Sequence, residues 1–355
     1  VYKIHYCLGA EIMAVQSKLP IPPFAQLDRM GEVWRVPYQE RALQAKQWAK
    51  QQGITPSAQD RVKVCLMVID AQNTFCLPEF ELFVWGSIED NRRLCTFIYE
   101  NLGRITEIVP TMDTHTAMQI FHPIFWVNDR GEHPSPNATI ITWEDVRQGV
   151  WQVNPAVAYS LAQGNYVALQ NHALHYVEKL TSAGKYPLTI WAYHSMLGGI
   201  GHALVSGVEE ALFIHNIARA SQTNFEIKGG NPLTENYSVL RPEVLDSFDG
   251  RPIAQKNTKL LKRLLEFDAV VIAGQAKSHC VAWTIDDLLT EILANDPQLA
   301  KKVYLLEDCT SPVVVPNVVD FTPQADLAFQ RFAESGMHLV TSTTPIEEWD
   351  GLHFP

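Results

Sequence analysis

Six short apolar runs, most of them closing on a polar residue, constrain this chain more than any other feature. They are KVCLMVID (Lys63–Asp70), RITEIVPTMD (Arg104–Asp113), PLTIWAYH (Pro187–His194), DAVVIAG (Asp268–Gly274), KVYLLED (Lys302–Asp308) and MHLVTS (Met337–Ser342). Runs this short and this continuous suit strands covered on both faces, as in a parallel sheet. Segments with helical spacing lie between several of them, at 89–102, 279–293 and 323–335, and another precedes them at 38–52. The alternation predicts an α/β fold, a doubly wound parallel sheet in a three-layer sandwich. Ligand sites in such sheets gather at the carboxyl ends of the strands. That makes Asp70, Asp113, His194 and the turn after Gly274 neighbours despite their distance in sequence.

The flanks read differently. Residues 20–37 are rich in proline and aromatics, an extended arm, and 53–61 form a polar linker, so 1–61 is expected to be an N-terminal extension. One domain then runs over 62–355, interrupted at 124–186 by a Pro/Asn/Gly-rich stretch and a helix-like ALQNHALHYVEKL, the expected lid-like insertion. The opening VYKIHYCLGAEI lacks the apolar core of a signal peptide, and Met13 follows it, so residues 1–12 are expected to be an upstream, non-native segment. With 46% hydrophobic residues in 355, the chain can bury a large core. A net charge of −11 argues against a nucleic-acid partner, and no apolar run has membrane-spanning length. Six scattered cysteines without a CxxC pair predict a reducing, cytoplasmic setting.

Three residues stand where chemistry is feasible. Asp70 ends a strand in VIDAQNTFC, Lys228 precedes two glycines in FEIKGGNP, and Cys280 opens a helix in AGQAKSHCVAW. A cysteine there feels the positive end of the helix dipole, which favours its thiolate. Each alone has an ordinary explanation: a capping carboxylate, a solvated lysine, a small buried hydrophobe. Elsewhere, His172 and His175 fall three apart on a helix-like stretch and read as a solvated face. HSMLGGIGHALV (His194–Val205) reads as a tight turn before a helix, with His202 as a polar residue at the helix start. Trp126 reads as core or lid packing.

Together, and in this order, the motifs resemble the nicotinamidase/isochorismatase-like cysteine hydrolase superfamily. The family's D-x-Q-N-D-F is similar to Asp70, Gln72, Asn73 and Phe75, with Thr74 replacing the second aspartate. Its K-G followed by Y-S resembles Lys228, Gly229, Tyr237 and Ser238, and its G-x-A-T-D-x-C-V resembles Gly274, Ala276, Cys280 and Val281. Lys277 and Ser278 replace the T-D pair, and EDCTS (Glu307–Ser311) resembles the family's D-A-C strand end. The resemblance runs from about Lys63 to the C-terminus, without the extension and without 124–186. It implies a catalytic triad of Asp70 as proton carrier, Lys228 as charge partner and Cys280 as nucleophile toward an amide carbonyl. It also implies an oxyanion hole from the N–H groups of Ala276 and Cys280, a cis peptide at Gln275–Ala276, and substrate contacts from Phe75 and Gln275.

The stretch TMDTHTAMQIFHP adds a metal. Nicotinamidases of the superfamily carry D-x-H after the second strand, a further histidine, and W-P-x-H one strand later. Asp113 and His115 are similar to the first element, and Trp191 to His194 to the last, with Ala192 for proline. Two imidazoles and a carboxylate suit a divalent metal, zinc first, with iron or manganese as alternatives. His122, nine residues after Asp113 where the family spacing is about six, is a further candidate ligand. The resemblance therefore implies a metal-containing amidohydrolase of the cytoplasm with a small amide as substrate, nicotinamide favoured. Another amide or a ureido compound is the alternative, and a non-catalytic binding protein on the same scaffold is the rival class. Members often assemble, so a homo-oligomer is expected.

Overall fold

The computed structural model describes residues 18–316 and 318–354; the expectations for residues 1–12, and Cys7 with them, lie outside the described residues. The frame consists of strands β1 (Val64–Ile69), β2 (Glu107–Asp113), β3 (Glu226–Lys228), β4 (Ala269–Gly274), β5 (Val303–Leu306) and β6 (His338–Val340). They form one parallel sheet in the order β6-β5-β4-β1-β2-β3. The main helices are α1 (Tyr38–Gln51), α2 (Ser87–Glu100), α3 (Tyr166–Ser182), α4 (Ser206–Arg219), α5 (Thr258–Leu265), α6 (Ala282–Asn295) and α7 (Thr322–Glu334).

β1 shows why a continuous apolar run belongs here. Side chains of a strand alternate between faces, so Val64, Leu66 and Val68 enter one core while Cys65, Met67 and Ile69 enter the other. The first core takes residues of α1, α2 and α4. The second takes α5, α6 and α7. Three layers result, as the alternation predicted, and the chain reverses its winding direction at β1 and β4. The fold is a doubly wound α/β three-layer sandwich.

Two expectations need correction. PLTIWAYH does not join the sheet: only Leu188–Thr189 pair, antiparallel, with Ile140–Ile141 in a separate ribbon. The sixth sheet strand is β3, on the outer side of β2, with Thr111, Met112 and Asp113 opposite Glu226, Ile227 and Lys228. That register sets Asp113 beside Lys228.

The described part of 1–61 packs on the domain through α1. Ala45, Trp48 and Ala49 of α1 are core residues, and Arg41 forms a buried ion pair with Glu210 of α4, Nε to Oε1 at 2.5 Å. Segment 124–186 has an apolar core of its own, built around Phe125, Trp126, Tyr176 and Leu180. No helix among the described residues is long and apolar enough to cross a membrane, and Cys65, Cys76, Cys95, Cys280 and Cys309 are free.

Candidate active site

The carboxyl ends of β1, β2, β3 and β4 converge on one cavity of about 270 Å³. Asp70 leaves β1 with φ +45°, a left-handed conformation that costs a non-glycine residue about 1–2 kcal/mol. Its backbone N–H and one carboxylate oxygen are both tied to Thr111 on β2: the N–H donates to Thr111 Oγ1 at 3.1 Å, and that hydroxyl donates to Asp70 Oδ1 at 2.5 Å. The other oxygen, Oδ2, lies 2.9 Å from Lys228 Nζ, yet receives no directed hydrogen bond among the described residues. One lone pair of the buried carboxylate is thus left open.

Lys228, at the end of β3, is the hub. Its ammonium is 2.9 Å from Asp113 Oδ1, 2.9 Å from the Asn236 carbonyl and 3.5 Å from Cys280 Sγ. Burial works against its charge, but Asp113, Asp70 and Cys280 outweigh it and hold Lys228 well above the ordinary lysine range. Burial likewise opposes charge on Asp113, and His115 with Lys228 overcomes it, keeping that carboxyl well below its usual range.

Cys280 sits in a widened turn, Lys277–Val281, that runs into α6. The dipole argument predicted a lowered thiol. In the metal-free site the thiol is instead raised well above its ordinary value, first by burial and then by Asp70 and Asp113, against Lys228. Asp70 is raised too, by burial foremost and by Asp113. At rest the proton belongs to sulfur, and Asp70 is a stronger base than an ordinary aspartate.

The turn before Cys280 depends on one glycine. Gly274 has φ +114°, and a Cβ there would fall 2.0 Å from the Ile69 carbonyl oxygen. The Gln275–Ala276 peptide is cis, as the resemblance implied. The Ala276 N–H donates to no group among the described residues and borders the cavity. Gln275 is placed differently from the expectation of a substrate contact. Its side chain turns away, donating to Asp90 Oδ2 at 2.9 Å and accepting from the Ser311 N–H at 3.3 Å. Phe75 does line the cavity, with its ring 5.7 Å from that of His194.

Beside the triad, Asp113, His115 and His194 bring one ligand atom each to within 4.8 Å of one another, all buried, the only such group among the described residues. The backbone prepares the histidines. His115 Nδ1 faces the Gly229 carbonyl at 3.1 Å, His194 Nδ1 the Ala192 carbonyl at 2.7 Å, and His122 Nδ1 the Ala117 carbonyl at 3.1 Å. A carbonyl only accepts, so each Nδ1 carries a hydrogen and each ring turns its Nε2 into the site; His115 Nε2 and His194 Nε2 lie 2.7 and 3.5 Å from Asp113 Oδ2, so on His115 a metal would take the place of the proton shared with that carboxylate. His122 Nε2 is buried without any partner, and its ring centroid stands 5.9 Å from His115 and 5.8 Å from His194. Burial, then His194 and His115, pushes His122 down to about 3, and burial also lowers His194. Gly229 is needed here, because at φ +88° a Cβ would meet His115 Cε1 at 2.7 Å and Asp113 Oδ1 at 2.9 Å. The donor set, two imidazoles and a carboxylate with their ligand atoms turned to one point, fits a divalent metal.

The cavity walls include residues the motifs did not mark. Segment 124–186 contributes Asn137 alone; the outer wall comes from Phe80–Trp85 and Val313–Pro316. Glu235 and His279, unmarked as well, line the cavity together with the motif residues Tyr237 and Trp191. Thr111 also escaped notice, although a polar residue inside an apolar strand is a readable signal. The remaining candidates are structural. His202 Nε2 meets Thr114 Oγ1 at 2.8 Å, Trp126 is buried and donates to the Ile120 carbonyl, and His172 is buried against the Leu233 carbonyl at 2.9 Å instead of solvated. His175 faces Asp246 at 3.3 Å.

No family model matches the chain, and no curated protein matches it. Solved structures do. The chain is similar to the yeast nicotinamidase Pnc1p bound to the inhibitor nicotinaldehyde, with 17% identity, 78% of this chain and 99% of that one covered, and a TM-score of 0.50. It is also similar to a nicotinamidase pyrazinamidase of Acinetobacter baumanii, with 18% identity, 79% and 96% covered, and a TM-score of 0.48. At such identities the first likeness establishes the shared fold.

Proposed function

We propose that this chain is a metal-containing cysteine amidohydrolase that cleaves a small carboxamide through a thioester on Cys280, with nicotinamide to nicotinate plus ammonia, a step of nicotinamide salvage, as the favoured reaction. One observation carries the reading. At the floor of a cavity, the Lys228 ammonium lies 2.9 Å from the Asp70 carboxylate and 3.5 Å from Cys280 Sγ, beside the uncommitted Ala276 N–H.

Each step follows from residue chemistry. Asp70, raised and with Oδ2 open, takes the thiol proton as sulfur attacks the amide carbon. Lys228 stays charged throughout and offsets the anion passed from carboxylate to sulfur. The carbonyl oxygen gains charge against the N–H groups of Ala276 and Cys280. Asp70 returns its proton to the leaving nitrogen, and ammonia departs from the acyl thioester. Water, deprotonated by the same carboxylate, then releases the acid and restores the thiol. Asp113, His115 and His194, with His122 as a fourth candidate, would hold the metal, zinc first and iron or manganese after it. A bound divalent ion supplies a Lewis-acid contact that fixes a polar atom of the substrate. Phe75 offers a ring edge or face to a planar substrate.

The test is ammonia release from nicotinamide by wild type and Cys280→Ala, with metal content measured on the same samples. Release by the wild type alone, with metal bound, upholds the proposal. Turnover of other amides or ureido compounds but not nicotinamide would move it to the alternative substrate class. Absence of turnover across the panel would leave a binding protein. The proposal includes a cytoplasmic homo-oligomer, which sedimentation of the purified protein checks for assembly.

A further inference from the structure

A buried carboxylate that the catalytic scheme does not use forms part of the cavity wall. Glu235 is 4% exposed and lines the cavity. Its partners are neutral: Tyr176 donates to Oε2 at 3.0 Å and the Trp191 indole N–H to Oε1 at 3.3 Å. No cation pairs with it among the described residues. Behind it stands a second buried acid, Glu243, which pairs with Lys185 at 3.4 Å and also feels Arg241. Those cations are engaged with Glu243, and Glu235, on the cavity wall, is left with neutral partners. An uncompensated buried charge is costly and is relieved by a proton or by an incoming cation.

The surroundings favour a cation. Trp191 donates its indole N–H both to Glu235 and to the Tyr237 hydroxyl at 3.0 Å, and both rings border the cavity. Aromatic walls beside an acid are the setting in which cationic nitrogen is held through cation–π contact and charge together. His279, on the same wall, is pushed down to about 3 by burial and brings no competing charge. A cation seated beside it would hold Glu235 ionised, and the carboxylate then has about four lone-pair sites, of which the two directed bonds above leave capacity for a further donor.

We propose that the amide substrate carries a positively charged nitrogen away from its scissile carbonyl, seated against Glu235 and the rings of Trp191 and Tyr237. This rests on the amidohydrolase reading for its reaction, but the cation site is testable without turnover. The probes are 4-aminobutanamide and its neutral isostere pentanamide. Binding to the metal-loaded Cys280→Ala protein is measured by calorimetry, and hydrolysis by wild type is measured through ammonia release. The expected result is a preference for the cation of at least about tenfold in binding, the scale of one charge-assisted contact in a dry site. Glu235→Gln in the same background, which keeps the size and removes the charge, should shrink that preference to less than about threefold. Equal binding of the two probes, or a preference for pentanamide, would overturn the proposal, and this comparison needs no folded variant at Glu235. Discrimination that persists in a folded Glu235→Gln protein would overturn it as well. If neither probe is hydrolysed but the cation binds selectively through Glu235, the cation site stands and the amidase reading alone fails.

Discussion

Gly274→Ala is the sharpest test of how the fold builds the site. The new Cβ would lie 2.0 Å from the Ile69 carbonyl oxygen and 2.5 Å from its nitrogen. Reaching an ordinary contact of about 3.5 Å requires β1 and β4 to part by more than an ångström where their pairing ends, at Ile69 opposite Gly274. The Gln275 N–H bond to the Ile69 carbonyl, 2.7 Å long, is lost with it. A buried hydrogen bond broken on both sides costs about 1–3 kcal/mol, and φ +114° costs a side chain roughly 1–2 kcal/mol more. The expected destabilisation, with partial relaxation, is about 3–5 kcal/mol. Gly53→Ala is the control, since Gly53 also has positive φ, +66°, but nothing within 4 Å of its Cβ; its cost should stay near 1 kcal/mol. Urea unfolding of chelator-treated protein, followed by tryptophan fluorescence, measures both. The displaced strand carries Asp70, so Cys280 alkylation should also change in Gly274→Ala. A Gly274→Ala protein within about 1 kcal/mol of wild type, with Cys280 alkylation unaltered, would refute the view that this close approach aligns the triad.

Other consequences are equally measurable. Alkylation of Cys280 in metal-free, substrate-free protein should keep climbing with pH through and beyond the ordinary thiol range, because burial and two carboxylates hold the thiol up; a plateau below pH 8 would contradict this. Glu235 is pushed up from the ordinary carboxylate range to about 8, by burial and then Glu243. A raised folded value means stability present below the unfolded value and lost as pH rises toward the folded one. Wild type should therefore lose about 1.4 kcal/mol per pH unit from this group across roughly pH 5–8, and Glu235→Gln should flatten that slope; identical pH profiles would count against a buried titrating Glu235. His194→Ala should abolish stoichiometric metal binding, while His122→Ala should weaken it by about 10–100-fold if its orphaned Nε2 joins the ion. Equal metal affinity in His122→Ala and wild type would remove His122 from the ligand set.

What the sequence made legible follows from how local the signal is. β1 and β4 are continuous apolar runs because both faces of each are covered, so they are readable from a handful of neighbours. Asp70 and Cys280 follow them directly and inherit that clarity. β3 is three residues long, with Ile227 exposed at the sheet edge, and so has no pattern to read; Lys228 was found through its motif and not through its strand. PLTIWAYH misled for the converse reason. Its apolar residues are buried against segment 124–186, in a core separate from the sheet's, and hydrophobicity does not say which core it serves. His194 still arrives at the site, delivered by a loop and fixed by the Ala192 carbonyl.

Glu235 shows the limit most clearly. In PLTENYS it is an ordinary polar residue of a loop, and nothing nearby marks it as buried. Its environment is assembled from Tyr176 on α3 and Trp191, 59 and 44 residues earlier in the chain, and α3 belongs to segment 124–186. The insertion therefore acts on the cavity from behind: it lends Asn137 to the wall, and through Tyr176 it anchors the acid that faces the substrate space. The candidate triad and the candidate metal ligands come from the sheet and its loops, whereas the charge of the cavity wall depends on segment 124–186. A Tyr176→Phe variant separates the two. It removes one donor from Glu235 without touching the sheet, so metal binding and Cys280 alkylation should hold while the ratio of cationic to neutral amide binding changes. Loss of metal in Tyr176→Phe would instead mean that the insertion supports the whole site, and the division of labour argued here would fail.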